Sequence, residues 1–196
     1  MSDRFGPLLG TTSPIVLGPF GGLSSIELTA TVSRLGGLGS CGLYGYSPDR
    51  IRETVDLLRN ATAAPFALNL WLPTGDERDP DQAVFDRQAE SLAPLFAEVG
   101  LEPPKRPESY LPAIEDQIEA ALEADAAAIS FVYGVPPAEV VAEARRRGTA
   151  ILGTATTVDE AVALEAGGVD AIVASGFEAA GHRVSFLEPA ERSLVG

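Results

Sequence analysis

The sequence predicts an α/β fold of parallel strands covered by helices. Within that class it favours an incomplete (β/α)8 TIM barrel, truncated after about six strands, over a doubly wound sheet. Three observations carry this reading. Short apolar runs alternate with amphipathic segments along nearly the whole chain, which is the pattern of βα units. Helix start and stop residues stand at the boundaries between them. Unusual residues follow nearly every strand at its C-terminal end: the 18–22 turn, Asn69, and the stretches 130–133, 154–156 and 175–182. Barrel enzymes build their sites at that face from many strands, whereas a doubly wound sheet gathers its ligand at one switch point. Both folds use strand C-termini, and six strands would complete a doubly wound sheet, so that architecture stays open.

The first strand is Pro14-Ile15-Val16-Leu17, followed by the turn Gly18-Pro19-Phe20-Gly21-Gly22. Ser24-Ser25-Ile26-Glu27 has capping-box spacing and opens a helix that runs to about Leu35, where Gly36-Gly37 ends it. The second strand spans 38–43. Ser47-Pro48 supplies an N-cap and an N1 proline for a helix over 48–60, with Ile51, Val55 and Leu58 on its apolar face. The third strand is Phe66-Ala67-Leu68-Asn69-Leu70.

A helical excursion over 71–125 intervenes, with helices at 81–99 and 110–124 joined by a proline-rich connector. Leu111, Ile114, Ile118 and Leu122 form the apolar face of the second helix. An excursion this long within one domain is often a functional lid. The fourth strand covers 126–132 and its helix 136–148. The fifth strand covers 150–154, and Thr157-Val158-Asp159-Glu160 is a second capping box opening a helix to Gly167. The sixth strand is 170–174, and 176–196 is mostly loop. The chain therefore reads as one domain over 1–196.

Composition narrows the function classes. With 28 acidic and 14 basic residues the net charge is −14, which repels nucleic acid and anionic membranes. The run Arg145-Arg146-Arg147 falls at a helix end, where cations suit the helix dipole. No apolar run reaches the ~20 residues of a membrane helix, and no leader segment is evident. The lone cysteine, Cys41, sits in an apolar segment and reads as a buried structural thiol in a cytoplasmic protein. One histidine and one cysteine do not make a zinc set, and no metal site is expected.

Three places carry chemistry. The Gly18-Pro19-Phe20-Gly21-Gly22 turn lets backbone approach a flat or anionic ligand, though it is equally a tight βα turn. Asn69 offers donors and an acceptor, as a ring with alternating N–H and C=O groups requires, though asparagine is also common in turns. His182, the only histidine, follows the sixth strand in Ser175-Gly176-Phe177-Glu178-Ala179-Ala180-Gly181-His182-Arg183. Imidazole ordinarily exchanges a proton near neutrality. Arg183 and Glu178 are expected to be exposed, solvated charges.

Taken together these motifs resemble the nitronate monooxygenase family. The resemblance is carried by residues 14–22, by Leu35-Gly36-Gly37-Leu38-Gly39-Ser40, by Pro65-Phe66-Ala67-Leu68-Asn69-Leu70, by Ser130-Phe131-Val132-Tyr133-Gly134 and by residues 173–183. It implies a TIM barrel with bound FMN that oxidises alkyl nitronates or nitroalkanes with O2 to a carbonyl compound and nitrite. It implies flavin contacts from Gly21, Gly22, Asn69, Ser175 and Gly181, and an active-site role for His182. The family usually has Met, Gln and Gly where this chain has Phe20, Ser175 and Ala180. Alternative readings are a related FMN barrel using NAD(P)H, such as an enoyl or quinone reductase, and a non-catalytic chain that acts by association. An open sheet edge also admits a homo-oligomer.

Overall fold

Five strands form one all-parallel sheet in the order β1-β2-β3-β4-β5, with β1 Gly39–Gly42, β2 Phe66–Trp71, β3 Ala128–Val132, β4 Ala150–Ala155 and β5 Ala171–Ala174. The structure is a computed structural model describing residues 5–21 and 23–196. It divides into two compact units. One comprises the residues up to Thr74 together with Pro112–Gly196; the other is Gly75–Leu111.

The strand order decides between the two architectures. A doubly wound sheet reverses direction at a switch point, so a later strand pairs on the far side of the first. Here each strand pairs with the next in sequence, through Gly42↔Asn69, Asn69↔Ser130, Ser130↔Leu152 and Leu152↔Ala171. Crossovers of one hand then place the helices on one face. That outer face bears Leu68, Leu70, Ile129, Phe131 and Ile151. They pack with Ile51, Val55 and Leu58 of α3 (Pro48–Ala61), Ile118 and Leu122 of α5 (Ile114–Glu123), and Val140 and Ala144 of α6 (Ala138–Arg147). The inner face carries Ala67, Ala128, Ala150 and Leu152, gathered with Leu38 and with Leu9 of α1 (Phe5–Leu9). This is the singly wound arrangement of a (β/α) barrel, with helices outside the sheet.

Several elements differ from expectation. The first predicted strand shrinks to one parallel bridge, Val16↔Leu38, between flanking prolines at 14 and 19. Its other edge has no partner among the described residues, and Ile15 and Val16 are exposed. Helix α1 was not expected; its Leu9 is buried under the N-terminal ends of the strands. The helix predicted from 110 begins at Ile114, because Pro112 disfavours helical backbone at Leu111. The sixth predicted strand, β5, leaves Ile172 and Val173 exposed on the sheet's last edge. The capping of α2 (Ile26–Arg34) lies one residue later than predicted: Ser25 accepts the Leu28 N–H at 3.0 Å. Ser24 instead donates to the Phe20 carbonyl at 2.5 Å and accepts the Gly42 N–H at 3.0 Å, which pins the 18–21 turn to β1.

In the smaller unit, α4 (Gln82–Glu98) is capped by Asp81, and Arg106 bonds the Pro80 carbonyl at 3.0 Å and Asp79 at 2.9 Å. No residue of α4 is buried.

Helix α2 packs on β1 at close range. Thr29 Oγ1 donates to the Ser40 carbonyl at 3.2 Å, and the Gly39 N–H donates to Ser33 Oγ at 3.1 Å. A Cβ at Gly39 would press into the Thr29 carbonyl and Ser33 Oγ. Since the obstacle is helix backbone, Gly39→Ala is expected to cost about 3 kcal/mol of stability by overpacking. The midpoint of urea unfolding checks this; an unchanged midpoint would mean that α2 can move away freely.

Candidate active site

Strand alternation places Asn69 and Trp71 on the inner face of β2, with Ser130 opposite Asn69 on β3. Asn69 is 2% exposed, and its Nδ2 donates to Ser130 Oγ at 2.9 Å and to the Ser130 carbonyl at 3.3 Å. The amide therefore has a fixed orientation inside the half-barrel. Gly42 lies across from Asn69 on β1, and a Cβ there would stand 3.1–3.2 Å from the Phe20 carbonyl and the Gly21 N–H. The absence of a side chain at Gly42 lets the glycine turn close down on the strand. Gly21 is exposed with open space around its Cβ direction. Gly22 lies outside the described residues.

The C-terminal ends of the strands bear an aromatic cluster that sequence reasoning missed. Trp71, the last residue of β2, stacks with Tyr44 after β1 (centroids 4.3 Å, 37° between planes) and with Tyr133 after β3 (5.2 Å, 57°). His182, in the loop after β5, meets Trp71 edge-on at 4.9 Å and 69°. Of the expected residues, His182 thus meets the strand that carries Asn69 through Trp71. Trp71 stands two residues beyond Asn69 on the same face and touches His182. The available signal was that Tyr44, Trp71 and Tyr133 each end or follow a strand.

The loop carrying His182 is anchored by two charged groups. Arg183 was expected to be solvated. Instead it is half-buried, and it donates to the carbonyls of Ser175 (2.8 Å), Thr156 (3.0 Å) and Ser193. A guanidinium offers five donors in a fixed fork, so one side chain can tie the ends of β4 and β5 to the C-terminal segment. Ser175 is engaged through its backbone, its N–H donating to Ala155 at 2.9 Å and its carbonyl accepting from Arg183. Gly181 has φ +93°, a left-handed backbone that favours glycine, and open space beside it. Glu178 is exposed.

Glu160 is the second anchor, and it is fully buried in α7 (Val158–Ala166). Thr157 caps this helix as expected, accepting the Glu160 N–H. The Glu160 carboxylate does not close an ordinary capping box. One oxygen accepts from the Thr156 N–H and hydroxyl, both at 2.7 Å. The other accepts from the N–H groups of Phe186 (2.7 Å) and Leu187 (3.2 Å). Burial alone would raise its pKa. The bonds from Phe186, Thr156 and Leu187 outweigh burial and hold the carboxyl below its ordinary value. Cys41 is buried behind β1, and that burial pushes its thiol pKa up, against a weaker opposing bond with Ser24; this suits a structural thiol.

Among the described residues, no group of three or more His, Cys, Asp or Glu is arranged to hold a metal ion. No helix among them is long and apolar enough to cross a membrane. A concavity lined by Leu9, Gly10, Arg59, Phe66 and Asp125 opens at the N-terminal ends of the strands, the end opposite His182.

A family model of nitronate monooxygenases matches residues 4–195. A nitronate monooxygenase of Pseudomonas aeruginosa is 41% identical over 201 residues, covering 100% of this chain and 56% of that protein. One from Paraburkholderia phytofirmans is 39% identical over 194 residues, covering 95% and 52%. Among solved structures, the nitroalkane oxidase of Streptomyces ansochromogenes superposes with a TM-score of 0.74 at 33% identity, over 95% of this chain and 52% of that one. FabK of Thermotoga maritima gives 0.65 at 25% identity, over 91% and 45%. The chain spans about half the length of the curated relatives it matches.

Proposed function

The chain belongs to the nitronate monooxygenase family of oxidoreductases, and from that premise we propose that it carries the substrate-activating half of an FMN-dependent oxidation of alkyl nitronates or nitroalkanes by O2. The products are a carbonyl compound and nitrite. The observation that supports this best is the placement of the only imidazole, His182, against Trp71, which stands above the buried Asn69 on the inner face of β2.

The inner face suits a flat ring. It is lined by Gly42, Ala67 and Ser130, with open space beside Gly21 and Gly181. Asn69, Ser175, Gly21, Gly22 and Gly181 would hold the isoalloxazine, with the fixed Asn69 amide giving it an orientation. The phosphate end is less provided for. Arg183, the one arginine of loop 175–189, already gives three of its five N–H donors to backbone carbonyls, and its buried Nε has no partner among the described residues. When bound, the flavin supplies the electron transfer between substrate and O2. The protein's own part is proton handling and orientation. His182 takes the α-carbon proton of a neutral nitroalkane, and once protonated it faces the anionic nitronate with a complementary charge. The exposed side of the imidazole is open to a small substrate. A cytoplasmic location fits the lone buried thiol.

A visible spectrum tests the cofactor assignment. The protein, continued to the full length of its relatives, is expected to purify with a flavin spectrum, and denaturation should release FMN rather than FAD. Anaerobic mixing should bleach that spectrum with an alkyl nitronate and not with NADH. A protein that never carries flavin would overturn the proposal. Rapid bleaching by NADH alone would instead favour the reductase reading.

A further inference from the structure

The geometry points to Trp71 as the positioning residue for His182, the side chain that sets where the imidazole presents its nitrogens. The role deepens the proposed function and rests on it, because it presumes that His182 moves the substrate proton.

Two separate constraints act on His182. The first acts on its backbone. Arg183, the next residue, grips the carbonyls of Ser175, Thr156 and Ser193, so the chain at 182 cannot drift from the ends of β4 and β5. That grip leaves the two side-chain torsions of an exposed histidine undecided. Among the described residues the imidazole makes no hydrogen bond. Its contact is the edge-on one with the Trp71 ring at 4.9 Å. Aromatic pairs prefer this T-shaped arrangement because a positive ring edge meets a negative ring face. The second constraint, on ring orientation, is therefore Trp71.

Trp71 is itself well held. It ends β2 in register with Val132, and the next N–H, of Leu72, donates to the Val132 carbonyl at 3.1 Å. Tyr44 and Tyr133 pack against its ring from the neighbouring strand ends. Tyr133 reaches its place with φ +67°, a backbone state that costs a non-glycine residue free energy. Such strain persists where the surrounding structure over-determines it, and it clusters at functional sites. Here it brings a phenol ring beside the indole. Two residues of strand separate Trp71 from Asn69, about 6.7 Å along the same face. The indole thus spaces the histidine from the level of the buried amide.

The chain has one tryptophan and one histidine, so both report without ambiguity. In proton NMR of the 196-residue chain, the His182 ring protons are expected to show cross-peaks to the indole and a ring-current displacement from free-histidine positions. Trp71→Leu should return them to those positions while the dispersed methyl signals of the core stay in place. Trp71→Phe should retain part of the displacement. In the flavin-loaded protein, Trp71→Leu should lower kcat on neutral nitroalkanes about tenfold with KM little changed, and Trp71→Phe should restore most of it. Imidazole signals at free positions in the folded wild-type chain would overturn the inference, as would a Trp71→Leu variant that folds and leaves them displaced. If the contact is present but His182→Ala keeps full turnover, the proton-transfer reading of His182 fails while Trp71's hold on the ring stands.

Discussion

Replacing His182 with alanine is expected to slow turnover of neutral nitroalkanes by about 10²–10⁴, the usual contribution of a positioned general base. Turnover of pre-ionised nitronates should fall far less. A neutral nitroalkane must lose its α-carbon proton before it can be oxidised, and a nitronate has already lost it. The two substrates therefore separate proton abstraction from every later step. No other residue in the cluster can substitute. Trp71 has no basic atom, and the phenol oxygens of Tyr44 and Tyr133 are far weaker proton acceptors than an imidazole nitrogen. The measurement is steady-state kcat/KM on both substrate forms in flavin-loaded protein, with His182→Gln as a second variant. Equal losses on the two forms would remove the base role and leave electrostatic positioning of the nitronate.

The largest effect on stability should come from Glu160. In Glu160→Ala the N–H groups of Thr156, Phe186 and Leu187 lose their acceptor in a buried setting. Each buried donor left unsatisfied costs about 1–3 kcal/mol, less whatever water recovers once the segment after residue 183 opens. A net loss of about 3 kcal/mol is expected. Removing the neighbouring cap, Thr157→Ala, should cost only about 1 kcal/mol. Glutamine should not rescue the site, because its amide nitrogen would turn two hydrogens toward groups that are themselves donors. Thermal unfolding and limited proteolysis after residue 183 check this; a Glu160→Gln protein as stable as wild type would refute the account. Acid should imitate the mutation. The folded carboxyl has the lower pKa, so the folded state binds fewer protons than the unfolded one. The stabilisation is complete above the unfolded value of about 4.3, and it drains away as pH falls from there through the folded value. Glu160→Gln should lack that component.

The alternation of strands and helices was legible because it depends on periodicity, whereas the strand order that makes it a barrel was not. Apolar runs with caps at Ser47 and Thr157 gave five of the strands and most helix boundaries. The run at 14–17 looked equally strand-like, yet a strand also needs an adjacent partner, and only Leu38 offers one there. Local pattern does not report partners. The candidate site divides in the same way. Asn69 and His182 stood out by residue type and by their place, one near the end of a strand and the other after one. Trp71, Tyr44 and Tyr133 did not, since their meeting depends on the register of three strands. Arg183 looked like a solvated charge and Glu160 like the closing residue of a capping box, because their actual partners are backbone groups, which leave no mark in a sequence. Ser24 and Ser25 show how fine the margin is: both suit a cap, and only the proximity of Gly42 decides which one makes it.

The strand order has a consequence for how such a chain acquires its structure. In the sequence β1-β2-β3-β4-β5, every strand pairs with the one synthesised immediately before it. As the chain leaves the ribosome, each new βα unit finds its docking edge already in place, and none has to wait for a segment still to be made. The longest wait falls between β2 and β3, across the 75–111 unit. Closing a loop of that length adds little entropic cost, because the penalty grows only logarithmically with the number of residues. Assembly can therefore proceed stepwise from the amino end, with the growing margin always the most recently made strand.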